Sequence, residues 1–216
     1  MAKTVTAAEM KERERAANEA GLLYIQMMEN AGRAAWKELK ARVPALRRLL
    51  IVAGKGNNGG DGFVMARVAA KEGVQVRVLL AEGEPKTADA KTNLARLAET
   101  AAEIVRDTEQ AAFGADTVVD ALYGTGFHGE LRPDGAAACA LMGRERERGA
   151  FVLALDLPSG VSADSGEVAE GAVQADATVT FDCTKPLHFA KASKPLCGAL
   201  VCADIGIGKA LGERET

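Results

Sequence analysis

The sequence predicts an α/β protein with a mostly parallel central sheet that follows two N-terminal helices. The run LLIVA at 49–53 is continuously apolar, which is typical of a strand buried on both faces of a parallel sheet. After it, strand-like and helix-like segments alternate at the spacing of βαβ units. No repeat or linker divides the 216 residues, so we expect a single domain over residues 1–216.

The stretch before the first strand has helical signals. Thr6 with Glu9 three residues later forms the pattern of a capping box, and Gly21 interrupts the helical stretch that runs to Arg42. The later helices are expected at 61–72, 86–99 and 135–148, and the later strands at 75–81, 103–105, 117–122, 151–155, 177–181 and 199–203. No long helix separates the last two strands, so we expect the late edge of the sheet to be partly antiparallel. The final GERET is expected to be a polar end.

Composition argues against several classes of partner and site. The net charge of −3 gives no reason to expect nucleic-acid or membrane binding. The four cysteines include no C-x-x-C pair and only two histidines accompany them, which indicates free buried thiols rather than zinc ligands or disulfides. Neither a signal peptide nor an apolar run of about 18 residues is present, so we expect a cytoplasmic protein.

The segment AGKGNNGGDGFVMAR joins the first strand to the next helix. Its five glycines, between Gly54 and Gly62, would allow positive φ and close backbone approach. Backbone N–H groups and the helix N-terminus can then converge on an anion. The segment is neither a P-loop nor a G-x-G-x-x-G fingerprint. We interpret it as a different phosphate loop for a nucleotide-type ligand; the alternative, a tight turn, would need only two glycines.

Polar residues follow three later strands at the edge where open α/β sheets bind ligands. Asp120 ends one strand and either contacts a ligand or caps its own turn. Asp156 ends the next, shortly before Ser159, and is the best acid–base candidate unless it closes an Asx turn. Lys185 follows a short strand and is the lysine expected to face the cleft.

Four nearby residues receive lesser roles. Lys191 and Lys194 are more typical of surface lysines than of ligands. His128 and His188 lack any partner pattern, and we interpret both as structural or peripheral, although either could line the mouth of the site.

Taken together, these segments resemble the NAD(P)H-hydrate epimerase family in its single-domain form, over nearly the whole chain. The shared motifs are TAAEM, MMENAG, GNNGGDG, DALYGTG, DLPSG, ADSG and the TF that precedes Lys185. The resemblance implies a Rossmann-like, three-layer α/β/α sandwich. It also implies a substrate, NADH or NADPH hydrated across a nicotinamide double bond, whose two epimers the enzyme interconverts. Two departures are Glu14, where the family usually has Asp, and GFHGELRPDG, which leaves individual contacts between His128 and Arg132 open.

The resemblance also assigns site residues. The substrate-binding positions are Asn57, Asn58, Gly59, Gly60, Asp61, Gly124, Thr125, Gly126, Phe127, His128, Gly129, Glu130 and Asp156. Asp156 and Lys185 match the pair that does acid–base chemistry. Asn58, Asp120 and Ser159 match the potassium ligands. Three oxygen donors with a single carboxylate suit a hard, monovalent cation.

The hydrate carries its hydroxyl on the carbon bonded to the ring nitrogen, so it is a labile hemiaminal. One member of the acid–base pair could protonate the departing hydroxyl while an iminium forms; ring opening and reclosure is the competing route. No dehydratase domain follows the tail, so a separate ATP- or ADP-dependent dehydratase that acts on one epimer is the implied metabolic partner. A homodimer could form through the apolar residues Leu22, Leu23, Ile25, Met27 and Met28, which could instead pack on the sheet.

The main alternative function is a non-catalytic nucleotide-binding or protein-interaction module, because relatives of this fold serve as scaffolds in RNA processing and as binding partners. Such roles would tolerate loss of the polar residues at the strand ends. Asp120, Asp156, Ser159 and Lys185 are all present together, which favours the enzyme. A nucleotide-sugar or phosphate-transferring enzyme that uses the same loop is the second alternative.

Overall fold

The computed structural model describes residues 3–213 of the chain. The ends of the predicted domain 1–216, and the last three residues of the tail GERET, lie outside this range. The α-helices are α1 (Ala7–Glu19), α2 (Tyr24–Arg42), α3 (Asn57–Lys71), α4 (Ala88–Leu97), α5 (Thr108–Ala111), α6 (Pro133–Glu147) and α7 (Ile207–Ala210). The strands are β1 (Arg48–Ala53), β2 (Gln75–Leu80), β3 (Glu103–Val105), β4 (Thr117–Ala121), β5 (Phe151–Leu155), β6 (Ala177–Phe181) and β7 (Ala199–Ala203).

These strands form one sheet in the order β3-β2-β1-β4-β5-β6-β7, and each neighbouring pair is parallel. The predicted antiparallel late edge is therefore wrong. Irregular chain at 156–176 carries the backbone from β5 to β6, and a segment with two short 3₁₀ helices, Pro186–His188 and Lys194–Leu196, carries it from β6 to β7. A crossover needs enough chain to return to the same end of the sheet, and a long helix is only one way to supply it.

Helices cover both faces of the sheet, which gives the three-layer α/β/α architecture that the sequence predicted. Alternate residues of β1 point to opposite faces. Leu49 and Ile51 pack in a core with residues of α1, α2, α3 and α4, whereas Leu50 and Val52 pack in a second core with residues of α5 and α6. Because both faces are covered, apolar residues predominate in the strands, as the first strand of the sequence indicated.

The two N-terminal helices form as predicted. The Thr6 side chain accepts a hydrogen bond from the Glu9 N–H, and the Glu9 carboxylate accepts one from the Thr6 N–H, which completes the capping box. The break lies at Gly21, whose φ of 103° is in the left-handed region that favours glycine. Within the described residues, no helix has both the length and the apolar character required to cross a bilayer.

Candidate active site

A cleft opens at the carboxyl ends of β1, β4, β5 and β6. Its volume of about 810 Å³ is within the usual range for small-molecule sites, roughly 300–1,000 Å³. The cleft lies where the strand order reverses between β1 and β4, which is the position at which open α/β sheets bind ligands. Residues of α1, α2 and the first turns of α3 form one wall.

Most of the predicted substrate-binding positions line this cleft, namely Asn57, Asn58, Asp61, Gly124, Thr125, Gly126, Phe127, His128, Glu130 and Asp156. Lys185 lines it as well. Gly59, Gly60 and Gly129 are not among the lining residues, and neither are the exposed Lys191 and Lys194.

The glycine-rich segment differs from the predicted loop. Helix α3 begins at Asn57, four positions before the predicted start at 61, so most of the segment forms its first turns. None of its five glycines has positive φ, and that part of the prediction is wrong. The glycines instead permit close approach: a Cβ on Gly54 would lie 1.8 Å from the Leu122 carbonyl oxygen, and one on Gly59 would lie 2.2 Å from the Gly54 carbonyl oxygen. This packing brings the N-terminus of α3, an anion-binding element, to the cleft.

A buried ion pair joins Asp156 and Lys185 at the base of the cleft. The Lys185 Nζ donates to Asp156 Oδ1 (2.5 Å), to Thr180 Oγ1 (2.8 Å) and to the Phe181 carbonyl oxygen (3.4 Å). These bonds use the three hydrogens of the ammonium group. Asp156 Oδ2, by contrast, makes no hydrogen bond to any residue from 3 to 213. Burial alone would raise the pKa of Asp156, but the Lys185 ammonium and the Thr180 hydroxyl outweigh it and hold that pKa below its ordinary value.

His188 fixes the backbone of both members of this pair. Its Nδ1 accepts a hydrogen bond from the Lys185 N–H (2.9 Å), so its proton is on Nε2, which donates to the Asp156 carbonyl oxygen (3.0 Å). Burial lowers the pKa of His188 to about 4, which keeps the ring neutral. Asp156 has a φ of 65°, an uncommon conformation for a residue other than glycine, and such strain concentrates at functional sites. The predicted structural role of His188 therefore consists of positioning the pair.

Beside the cleft, Asn58 and Ser159 each hydrogen-bond to the Tyr123 backbone, and Ser159 contacts Asp120. The Ser159 hydroxyl donates to Asp120 Oδ1 (2.6 Å), and the Ser159 N–H donates to Asp120 Oδ2 (2.7 Å). The Asn58 Nδ2 donates to the Tyr123 carbonyl oxygen (2.8 Å). Asn58 Oδ1 is buried and has no hydrogen-bond partner among residues 3–213. Asp120 also accepts from the Leu122 N–H (3.2 Å), so it caps its own turn as well.

Comparison with known proteins identifies the family. The family model described as YjeF-related protein N-terminus matches residues 24–187. The chain belongs to this family. An NAD(P)H-hydrate epimerase from Pirellula staleyi is 41% identical to it over 89% of this chain and 87% of the relative.

Other relatives of this YjeF-related chain are longer. The bifunctional NAD(P)H-hydrate repair enzyme Nnr from Coxiella burnetii is 38% identical over 93% of this chain, which spans only 41% of that protein. The crystal structure of yeast ynu0 has a TM-score of 0.76 at 19% sequence identity and covers 94% of this chain and 88% of its own, which shows the same fold.

The YjeF-related domain carries two further carboxyl groups near the ion pair. Burial, and to a smaller extent the neighbouring Asp156 carboxylate, raises the pKa of Glu14 to about 7, while Lys185 opposes the rise. Burial likewise raises the pKa of Asp61 well above its ordinary value. No role in the site was predicted for Glu14. A usable signal existed, because Glu14 lies between Met10 and Ala17 on the buried stripe of α1, where an apolar residue is expected.

At the other end of the cleft, the family domain has a second polar group that sequence reasoning missed. The Tyr123 hydroxyl donates to Glu82 Oε1 (2.9 Å), and Arg132 Nη2 lies 3.0 Å from the same carboxylate oxygen. Tyr123 stacks on Phe127 with ring centroids 5.0 Å apart. Glu82 comes two residues after β2, the strand next to β1, so a carboxylate after the second strand was the available signal.

Proposed function

We propose that the protein is an epimerase that interconverts the two epimers of hydrated NADH and hydrated NADPH. The observation that carries the proposal is the Asp156–Lys185 pair, which presents one free carboxylate oxygen to a cleft of suitable size below a helix N-terminus. The Pirellula staleyi relative named NAD(P)H-hydrate epimerase supports the same reaction, since its alignment covers most of both chains.

The free oxygen of Asp156 is the atom of the pair that can exchange a proton with the substrate. Lys185 holds the other oxygen through a 2.5 Å bond and keeps the carboxyl group ionised. The hemiaminal C–O bond breaks when its hydroxyl is protonated and the ring nitrogen donates its electron pair to form an iminium. Water then adds to the opposite face and loses a proton. The competing route opens the ring at the C–N bond to an aldehyde and recloses it. Proton transfer of this kind contributes about a hundredfold or more in rate.

A potassium ion is part of the proposal. Asn58, Asp120 and Ser159 would hold it, and they fit because their donor atoms are all oxygens and Asn58 Oδ1 is buried without a partner in the described chain. Burial raises the pKa of Asp120 to about 6 despite its bonds from Ser159, and a nearby cation would favour the ionised form. When bound, the ion would neutralise buried charge and fix the loops after β4 and β5.

The proposal extends to partners and compartment. We infer that the metabolic partner is an ATP- or ADP-dependent dehydratase that acts on one epimer, and that both proteins work in the cytoplasm. A homodimer through the start of α2 also belongs to the proposal. Met27 and Met28 pack in the protein's own core, so the interface would rely on Leu23, which is 52% exposed, and on the neighbouring Tyr24.

A coupled assay tests the function. A dehydratase specific for one epimer consumes its own epimer of hydrated NADH quickly, and the other disappears only as fast as it epimerises spontaneously. Adding this protein should convert the two-phase time course into one phase that runs to completion. A slow phase that is unchanged by folded protein at increasing concentration would contradict the proposal and favour a non-catalytic nucleotide-binding module.

A further inference from the structure

This inference rests on the proposed function and concerns a residue to which it assigns no role. An epimerase that works through an iminium must remove hydroxide from one face of a ring carbon and return water to the other. The Lys185 ammonium is fully engaged, so the Asp156–Lys185 pair offers a single free atom, Asp156 Oδ2. One carboxylate oxygen cannot contact both faces of a confined ring at once. The second proton-transferring group must therefore come from another wall of the cleft.

Two side chains are near enough to influence the pair electrostatically and also line the cleft. They are Glu14 on α1 and Asp61 on α3. Neither carboxyl group makes a hydrogen bond or an ion pair with a side chain in the described range. With Asp156 paired to Lys185, ionising either group adds a net negative charge to a buried site, so both favour their protonated forms.

Glu14 is the better suited of the two. Burial raises the pKa of Asp61 well above its ordinary value, which favours its protonated form and makes it the weaker candidate for a base. The pKa of Glu14 is about 7, so both of its forms are populated near neutral pH. A group of this kind can serve as the acid in one direction of a reversible reaction and as the base in the other.

We propose that Glu14 is the second acid–base catalytic residue, acting on the ring face opposite Asp156. In one direction the Glu14 carboxyl group gives its proton to the departing hydroxyl, the C–O electron pair leaves with the water, and the ring nitrogen forms the iminium. Water adds to the other face and passes a proton to Asp156. The enzyme is left with Glu14 ionised and Asp156 protonated, and exchange of these protons with solvent restores the starting form. The reverse reaction uses the two groups in exchanged roles.

The charges around Glu14 come from several elements. The groups that influence it are Lys11 on its own helix, Asp156, Asp182 and Lys185 at the strand ends, and Asp61 on α3. The carboxylates favour the protonated form of Glu14 and the lysines oppose them. In the direction that uses Glu14 as the acid, kcat/KM should therefore fall as the pH rises through about 7.

The test measures epimerisation of hydrated NADH against pH for the wild type and three variants. Glu14→Gln should lower kcat by about a hundredfold or more and abolish the fall in kcat/KM at high pH, which is the high-pH limb of the profile. Glu14→Asp should restore part of the rate together with the limb. Glu12→Gln is the matched control, since Glu12 is on the same helix, is 62% exposed and, among residues 3–213, pairs only with Arg15. Its rate and profile should match the wild type.

The outcomes distinguish a failure of the proposed Glu14 role from a failure of the proposed epimerase function. No acceleration by the wild type above the spontaneous rate would overturn the proposed function itself. An accelerating wild type whose pH limb persists in a folded Glu14→Gln protein would overturn only the role of Glu14. Binding of NADH, followed by fluorescence, should be nearly equal in the wild type and Glu14→Gln. A loss of binding that accounts for the whole loss of rate would also overturn the acid–base role.

Discussion

Replacing Lys185 by Met is expected to destabilise the protein through the charge that it leaves behind. The Lys185 side chain is 1% exposed and that of Asp156 is 14% exposed. Met has a similar length, so packing is largely kept while the ammonium is lost. Removing one partner of a buried ion pair costs roughly 3–5 kcal/mol. Asp156 keeps a hydrogen bond from Thr180, and its other oxygen faces the cleft, so we expect the lower end, about 3 kcal/mol.

The pH dependence distinguishes lost charge compensation from lost packing. In the wild type the pKa of Asp156 is lowered, so its pairing stabilises the fold above the unfolded pKa of about 3.9, and this stability is lost as pH falls through the folded pKa. In the variant, burial is no longer opposed by Lys185, so the pKa of Asp156 should rise above the unfolded value. The destabilisation should then be full at pH 8 and should shrink as the carboxyl group takes up a proton at lower pH.

Urea unfolding at pH 8 and pH 5 measures this effect. With a slope of about 1–3 kcal/mol per molar urea, a loss of 3 kcal/mol lowers the midpoint by about 1–3 M. Adding Asp156→Asn to Lys185→Met should recover much of the loss, because no buried charge remains. Lys194→Met, at an exposed lysine, should stay within about 0.5 kcal/mol of the wild type. An equal loss at both pH values, unrelieved by the second substitution, would show that the uncompensated charge of Asp156 is not the cause.

Three further expectations follow from the site. Gly54→Ala places a Cβ 1.8 Å from the Leu122 carbonyl oxygen and should cost about 3 kcal/mol or more in a thermal melt, whereas Gly56→Ala, with nothing within 4 Å, should be near neutral. Potassium chloride should raise the Tm more than the same concentration of tetramethylammonium chloride does, and Asp120→Asn should abolish this difference; a retained difference would place the ion elsewhere. His188→Ala leaves two buried backbone groups unpaired and should lower the free energy of unfolding by about 1–3 kcal/mol for each, and an unchanged urea midpoint would contradict its positioning role.

Much of the fold could be predicted because its signals are local. The apolar runs locate the strands, and the capping box and Gly21 locate the first two helices. The direction of the late strands could not be predicted, because it depends on how irregular chain crosses the sheet. The start of α3 was misplaced since glycine is a poor helix former, and only its close packing on the strand ends explains its presence in a first turn.

Some of the site residues could likewise be predicted from the sequence, and others could not. Asp120 lies at the end of a strand and Asp156 and Lys185 follow strands, and the rule that ligands bind at the carboxyl edge of the sheet makes such residues predictable. Glu14 comes from a helix far away in sequence, and His188 acts through the backbone of other residues. Their roles depend on tertiary contacts, for which a single sequence contains little direct signal.

The most direct test of proton transfer by Asp156 compares Asp156→Asn with the wild type. A single purified epimer of hydrated NADH is mixed with each protein, and its conversion to the other epimer is followed against the spontaneous rate. We expect the wild type to accelerate the exchange and Asp156→Asn to lose at least about a hundredfold of that acceleration while binding NADH nearly as well. Equal rates from both folded proteins would contradict the claim that this carboxylate performs the proton transfer.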